Sequence, residues 1–242
     1  MIVLFTDFGA ADPYVGQVKA QLAVHAPGVT VIDLLHEVPA YNPHAGAHLL
    51  AALAAAFPSG TVFLAVVDPG VGTSRGAVVV EAEGRWYAGP DNGLLSVVAA
   101  RAESFRVWRI DWRAERLSAT FHGRDLFAPI AAAIAVGAAP IDKLVEVAAL
   151  DVVFDAGDLA RVIYIDHYGN AWTGLRGIDA AARLVAKGVE LARADTYGSV
   201  ERDQPFWYVN SVGLVEMAVN RGSAAAALGL AVGERVGVLR PS

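Results

Sequence analysis

The residues with the clearest potential for chemistry lie in one short stretch, 67–75, where an acid and a base flank two glycines. Asp68 follows an apolar, β-branched run, 61–67, whose composition is typical of a strand buried on both faces of a parallel sheet. Loops beyond the carboxyl ends of such strands form the binding crevice of an open α/β sheet, so we expect Asp68 there. The glycines allow a turn that returns Arg75 toward the acid. Taken alone, the stretch is better interpreted as a tight turn with a local ion pair.

Two further polar residues stand at the ends of predicted elements. Asp7 follows the first apolar strand, where a carboxylate could hold a ribose, although a cap for the helix predicted to begin at Asp12-Pro13 is the simpler interpretation. His122 precedes a predicted Ala-rich helix, 126–136, whose dipole favours a neutral imidazole. An ordinary loop histidine fits the same pattern.

The histidines and cysteines bear on metal chemistry. His44 and His48 have the i, i+4 spacing of a metal site, but no H-E-x-x-H arrangement accompanies them, so we predict a solvated or capping face. The chain has no cysteine, which excludes disulfides, thiolate zinc sites and a cysteine nucleophile. We therefore predict neither a metal nor a cofactor.

The elements that must position these side chains alternate as β-α-β-α-β in the first part of the chain, which indicates an α/β fold with a largely parallel central sheet. One predicted helix carries a buried stripe, and a hairpin follows the third strand. The predicted strands are 1–5, 29–35, 61–67 and 107–111, the hairpin is 76–88, the later helices are 46–57 and 94–101, and the stripe is Tyr14, Val15, Val18, Leu22 and Val24.

Beyond about residue 155 short strands and turns replace this alternation, so we predict an N-terminal α/β domain, 1–153, and a small C-terminal β-barrel, 158–242. A short Ala-rich helix, 222–230, interrupts the strands. The predicted barrel strands are 161–166, 169–173, 189–191, 205–210, 215–219 and 235–239.

Composition limits the partners. The net charge of −6 and the absence of a basic run argue against nucleic acid. No run of about 18 apolar residues is present, so a membrane span is not expected. The opening strand lacks the basic region of a signal peptide, and we expect a cytoplasmic protein.

Six motifs, in unbroken order from Leu4 to about Val238, resemble those of the S-adenosyl-L-methionine (SAM) hydroxide adenosyltransferases, adenosine-forming SAM hydrolases related to fluorinating and chlorinating enzymes. They are Thr6-Asp7-Phe8-Gly9, Asp68-Pro69-Gly70-Val71-Gly72 with Arg75, Pro90-Asp91-Asn92-Gly93, Phe121-His122-Gly123-Arg124-Asp125, Asp166-His167-Tyr168-Gly169-Asn170 and Asn210-Ser211.

The resemblance implies a homotrimer whose active sites lie between the large domain of one subunit and the barrel of its neighbour. It assigns hydroxide generation to Asp68, Arg75 and His122. The implied substrate contacts are Asp7 for the ribose, Tyr41 and Phe121 for the nucleoside pocket, Asp166 for the amino-acid end, Tyr168 and Asn170 for adenine, and Asn210, Ser211 and Glu216 as nearby polar groups. Val212 and Val219 replace arginines of the halogenating relatives.

This chemistry suits the residue types. SAM carries methionine as a good leaving group at the ribose 5′ carbon, but bulk water, with a pKa of about 15.7, is a poor nucleophile. An aspartate and a neutral histidine accept the proton, and Arg75 offsets the charge on oxygen.

Two alternatives stay open. A SAM halogenase is disfavoured, because those relatives carry an aromatic residue and a tyrosine where this chain has Asp68 and His122. A buried carboxylate would also repel a halide. A non-catalytic adenosine or SAM sensor would keep Asp7 and the barrel contacts without needing the catalytic three.

Overall fold

The computed structural model describes residues 1–112, 117–138 and 143–240, and the chain divides into two compact units. The first comprises 1–51 and 57–156, and the second comprises 52–56 and the residues from 157 onwards. No helix within the described ranges is both long and apolar enough to cross a membrane.

The first unit is built on a seven-stranded sheet in the order β2-β1-β3-β5-β4-β6-β7. The pairs β2/β1, β1/β3 and β3/β5 are parallel, and the remaining three pairs are antiparallel, so five strands share one direction. The mainly parallel sheet and the hairpin β4–β5 agree with the sequence prediction. The strands are β1 (Ile2–Thr6), β2 (Val31–Leu35), β3 (Val62–Val66), β4 (Ala77–Ala82), β5 (Arg85–Pro90), β6 (Phe105–Ile110) and β7 (Leu144–Val147).

Strands β1 and β3 are neighbouring interior strands of the sheet, and every one of their residues is buried. Continuous apolar composition of this kind is what a strand covered on both faces requires. Their registers align residue by residue, so the two strands end side by side. Strand β7 was not predicted, since it is only four residues long and its three apolar residues are interrupted by Glu146.

The helices that lie wholly or mostly in the first unit are α1 (Pro13–His25), α2 (Pro43–Ala54), α3 (Ser96–Arg101) and α4 (Ala128–Ala135). In α1, Val15, Val18 and Leu22 are buried as predicted, but Tyr14 and Val24 are 46% and 71% exposed. The predicted stripe was therefore wrong at its two ends, because these positions lie off the face that packs on the sheet.

Helix α4 is preceded by a π-helical turn, Gly123–Phe127, where the sequence predicted a uniform helix from residue 126. Such turns occur frequently at functional sites. The small residues of α4 pack closely against α1 and the sheet, with Ala128, Ala131 and Ala132 fully buried.

The second unit contains two antiparallel sheets, β12-β13-β9-β8 and β11-β10-β14. Its core surrounds Trp207 and Met217, neither of which is exposed. Strand β10 was not predicted. The elements are β8 (Leu159–Ile165), β9 (Ala171–Gly174), β10 (Arg183–Ala186), β11 (Val189–Leu191), β12 (Pro205–Val209), β13 (Val215–Val219), α5 (Ala224–Leu228) and β14 (Gly237–Leu239).

Candidate active site

Two carboxylates project from the adjacent carboxyl ends of β1 and β3. Thr6 pairs with Val66 at the last position of the ladder, and the Asp7 amide donates to the Val66 carbonyl at 3.3 Å. Asp7 and Asp68 therefore lie at one sheet edge, as the sequence predicted. Both line a cavity of about 600 Å³, here called the Asp7 cavity, which is formed wholly within the first unit.

Asp68 and Arg75 form a buried ion pair. The Arg75 Nε atom lies 2.9 and 3.0 Å from the two carboxylate oxygens of Asp68, and Nη2 also donates to Oδ2. Nη1 donates to the Gly76 carbonyl at 2.9 Å. Gly72 makes the intervening turn with φ of 78°, and a Cβ there would collide with the carbonyl oxygen of Ala119. The predicted ion pair is thus confirmed, and its buried position makes it more than a surface turn.

His122 joins this pair from the N-cap position of the π-helical turn. Its Nδ1 atom lies 3.0 Å from Nη2 of Arg75, and the residue is 5% exposed. A guanidinium only donates hydrogen bonds, so Nδ1 accepts here and a neutral imidazole carries its proton on Nε2. The ring of Phe127 covers the guanidinium, with 5.3 Å between its centroid and Cζ of Arg75.

Asp7 is held by a loop and does not cap a helix. Its Oδ2 atom accepts a hydrogen bond from the Tyr41 amide at 3.2 Å, while the N-cap of α1 is Asp12. Burial raises the pKa of the Asp7 carboxyl; the Tyr41 bond opposes this and the charge of Asp68 adds to it. Tyr41 has a left-handed backbone, with φ of 59°, and its side chain is 80% exposed.

An aromatic cluster forms one wall of the Asp7 cavity. The ring of Phe121 meets those of Phe8 and Tyr14 edge-on, with centroids 5.7 and 5.5 Å away. Arg124 lies over the Phe121 ring at 5.0 Å and pairs with Asp125. The sequence predicted Phe121 but not Phe8, Tyr14 or Arg124 as cavity residues, although Phe8 and Arg124 lie within the motifs.

The second unit has its own cavity, of about 780 Å³, here called the Tyr168 cavity. It is lined by Tyr168, Asn170, Tyr197, Gly198, Val219, Asn220, Arg221 and Gly222. Asp166 organises the adjoining turn: Oδ1 accepts from the amides of Tyr168 and Asn170, and Oδ2 accepts from the Asn170 side chain, all at 2.9 Å. Tyr168 is 75% exposed.

A hydrogen-bonded chain links three of the predicted binding residues through two tyrosines that the sequence did not single out. Asn170 Nδ2 lies 3.0 Å from the Tyr197 hydroxyl, which is 3.1 Å from that of Tyr208. The Tyr208 hydroxyl donates to Glu216, whose other oxygen accepts from Asn210 Nδ2 at 3.0 Å.

Glu216 is 2% exposed, and both of its carboxylate oxygens have partners within the chain. Burial raises the pKa of its carboxyl, and the bonds from Tyr208 and Asn210 partly offset that rise. Ser211 lies exposed in the β12–β13 turn, which Asn210 Oδ1 stabilises through the Val212 and Leu214 amides.

The described residues contain no group of three side chains that could hold a metal. The rings of His44 and His48 lie 5.4 Å apart on α2, and Nδ1 of His48 is 3.2 Å from Nη2 of Arg101. The prediction of a solvated face was wrong for His48, which is 1% exposed, because this side of α2 faces the interior.

Comparison with known proteins assigns the whole chain. Residues 2–144 match the SAM hydroxide adenosyltransferase N-terminal domain, and residues 160–237 match the C-terminal domain. The chain is 40% identical over 254 residues to a protein of Thermus thermophilus named (R)-S-adenosyl-L-methionine hydrolase, covering 98% of this chain and 99% of that one.

A solved structure and a more distant relative are also similar to this chain along almost its whole length. A solved structure of an uncharacterized conserved protein from Thermotoga maritima superimposes with a TM-score of 0.89 at 32% identity, covering 99% of this chain and all of the other. A fluorinase of Actinopolyspora mzabensis is 29% identical over 99% of this chain and 97% of its own length. From its ordered motifs, its fold and these matches, the chain belongs to the SAM hydroxide adenosyltransferase family.

Proposed function

We propose that this protein is an enzyme that hydrolyses SAM to adenosine and L-methionine. The observation that carries the proposal is the meeting of Asp68, Arg75 and His122 beside a cavity that also contains Asp7. The Thermus relative, named as a hydrolase of this kind, supports the same activity.

In the proposed reaction a water oxygen attacks the ribose 5′ carbon while the bond from that carbon to sulfur breaks. The sulfonium takes the bonding electrons and leaves as the neutral thioether of methionine. Asp68 accepts the proton that the water loses, because its Oδ1 atom can accept a second bond beside the one from Arg75, whereas Nδ1, the one acceptor of a neutral His122, is already bonded to Arg75. His122 presents a neutral N–H donor that holds the attacking oxygen, and Arg75 offsets its developing charge.

Asp7 holds the ribose hydroxyls, and Tyr41 and Phe121 line the nucleoside pocket. The fixed ribose aligns oxygen, carbon and sulfur, and such positioning supplies up to about 7–11 kcal/mol of a reaction barrier in favourable cases. The raised pKa of Asp7 is consistent with a carboxylate that lacks enough donors until a ligand with hydroxyl groups arrives.

The second unit completes the proposed site from a neighbouring subunit of a homotrimer. Asp166 binds the amino-acid end, Tyr168 stacks near adenine, and Asn170 bonds the edge of the base. Asn210, Ser211 and Glu216 lie behind or beside these contacts. The exposed rings of Tyr41 and Tyr168 support an interface, since aromatic surface of this size gains most when a partner covers it.

We further propose two domains, 1–153 and 158–242, of which the second closes into a barrel. Bridges between Arg161 and Arg235 and between Arg193 and Trp207 support closure, because each joins an outer strand of one sheet to the other. We place the enzyme in the cytoplasm without a membrane or nucleic-acid partner; the net charge of −6 disfavours the latter.

The proposed substrate is the (R) sulfonium epimer, for which the Thermus relative is named. Inversion at sulfur exchanges the substituents around the leaving atom and leaves the nucleoside unchanged. Asp7 would therefore hold both epimers, and the groups around the methionine would choose between them.

The test is incubation of the purified protein with each SAM epimer, with adenosine and methionine measured by chromatography. We expect equimolar release of both products, faster from the (R) epimer, unaffected by a metal chelator or by fluoride and chloride. A 5′-halogenated nucleoside as the product would identify a halogenase instead. Adenosine binding without any turnover would identify a sensor.

A further inference from the structure

A buried imidazole adjoins the end of β1 and takes no part in the proposed reaction. His36 is 8% exposed, and its Nδ1 atom lies 2.8 Å from Oγ1 of Thr6, which is 1% exposed. Thr6 immediately precedes Asp7, the proposed ribose ligand. The imidazole is therefore hydrogen-bonded to the residue that precedes the proposed substrate contact.

On its other side His36 meets a charged pair. Nε2 lies 3.2 Å from Oδ1 of Asp33, an ion-pair distance without the alignment of a hydrogen bond. Oδ2 of Asp33 accepts from Lys19 Nζ on α1 at 2.9 Å. Burial favours a neutral Asp33, but the hydrogen bond from Lys19 and the proximity of His36 outweigh it and hold the pKa of that carboxyl below its usual value. Asp33 is therefore an anion.

When His36 is neutral, one placement of its proton satisfies the contacts with both Thr6 and Asp33. The Asp33 carboxylate attracts the proton of His36 to Nε2, which leaves Nδ1 as an acceptor. The Thr6 hydroxyl then donates to Nδ1, and its oxygen accepts the Phe8 amide at 3.4 Å. The Thr6 side chain thus links His36 to the backbone on both sides of Asp7.

Backbone bonds extend this connection to the loop that contacts Asp7. The Val38 amide donates to the Thr6 carbonyl at 3.1 Å, and the Gly9 amide donates to the His36 carbonyl at 2.8 Å. The same loop continues to Tyr41, whose amide donates to the Asp7 carboxylate. A change at His36 would therefore reach Asp7 both through β1 and through its loop donor.

We propose that His36 is a positioning residue that fixes the Asp7 carboxylate for the nucleoside, acting through Thr6 and supported by Asp33. The inference rests on the ribose-binding role proposed for Asp7. It assigns no chemical step to the imidazole. Catalytic geometry is sensitive to shifts of about 1 Å, so such anchoring is needed where a single carboxylate holds the ribose.

The test compares Thr6→Val and His36→Leu with the conservative variants Thr6→Ser and His36→Asn. We expect the first two to raise the adenosine Kd and the KM for SAM about tenfold, while kcat falls less than threefold. This split indicates lost binding, since the three catalytic side chains are untouched. The conservative variants keep a polar atom at the Thr6–His36 contact and should bind adenosine within threefold of the wild type.

Thr61→Val is the matched control for Thr6→Val. Thr61 is also 1% exposed and its hydroxyl donates to the Pro58 carbonyl at 2.7 Å, but it lies at the opposite end of the sheet, before β3. Both variants lose the hydrogen bond that the buried hydroxyl donates, and Thr6→Val also loses the long 3.4 Å bond from the Phe8 amide. We expect a similar fall in melting temperature for the two, with adenosine affinity lost only by Thr6→Val.

Adenosine affinity equal within twofold in Thr6→Val and Thr61→Val would overturn the proposal. If Asp7→Asn loses adenosine binding in that case, only the positioning role fails; if Asp7→Asn binds normally, the ribose role fails with it. Should Thr6→Val not fold, Asp33→Asn decides, because its side chain is 43% exposed and lies outside the core. We expect Asp33→Asn to raise the adenosine Kd twofold or more, and a smaller rise would refute the inference.

Discussion

Replacing Asp68 by asparagine tests the catalytic assignment most directly. The change removes the proposed proton acceptor and leaves Arg75 in place. General-base catalysis typically contributes 10²- to 10⁴-fold, so we expect kcat to fall by roughly that factor, or about 3–5 kcal/mol in the barrier. Adenosine affinity should change little, because Asp7 and the aromatic wall are intact.

The same variant should also lose stability. The side chains of Asp68 and Arg75 are 5% and 10% exposed, so the guanidinium would be left as a buried charge without its carboxylate. Removing one partner of such a pair costs about 3–5 kcal/mol. Adding Arg75→Gln should restore part of this loss without restoring turnover, and that combination separates the structural effect from the catalytic one.

The measurements are initial rates of adenosine release, adenosine binding by calorimetry and unfolding in denaturant. Arg106→Gln is the control: its pair with Glu146 is more than half exposed and screened by solvent, so both stability and activity should match those of the wild type. Turnover by Asp68→Asn within tenfold of the wild type would refute Asp68 as the proton acceptor.

Three further predictions concern neighbouring residues. His122→Ala should lower kcat at least about 10²-fold with adenosine binding retained, since it removes a donor to the developing oxyanion. Asp7→Asn should weaken adenosine binding yet raise the melting temperature at neutral pH. The pKa of Asp7 is raised in the folded protein, so its ionisation costs stability as pH rises from the unfolded value of 3.8 through the folded one. Gly72→Ala should lose about 1–3 kcal/mol of stability and displace Arg75, because its φ of 78° and the Ala119 carbonyl leave no room for a Cβ.

Each of these three predictions has a result that would contradict it. Normal turnover by His122→Ala would remove the imidazole from the mechanism. A gain in stability by Asp7→Asn that is equally large below pH 3 would show that ionisation is not its cause. Wild-type stability and rate in Gly72→Ala would mean that the turn accommodates a side chain and does not fix Arg75.

Much of this site could be predicted because its information is local in sequence. The apolar run of β3, the acid at its end and the glycines after it suffice to place Asp68 against Arg75, seven residues later. Turn chemistry acts over such distances without help from the rest of the fold. Strand β1 and the hairpin β4–β5 were predictable for the same reason.

The remainder depends on contacts between distant segments. Arg124 bonds Gln17 across 107 positions, and Phe8 and Tyr14 meet Phe121 only after α1 and α4 have packed together. No local pattern distinguishes Tyr14 at the cavity from a buried helix residue. His36 likewise becomes informative only when β1 and β2 are adjacent.

The parallel register of β1 with β3 has a mechanical consequence. Neighbouring strands are about 4.8 Å apart, and their backbone hydrogen bonds make that spacing one of the stiffest dimensions in a protein. Asp7, proposed to bind the sugar, and Asp68, proposed to deprotonate water, lie one and two residues beyond the ends of these two strands. The pairing of these two strands thus sets the distance between nucleophile and substrate, and no loop has to close to set it.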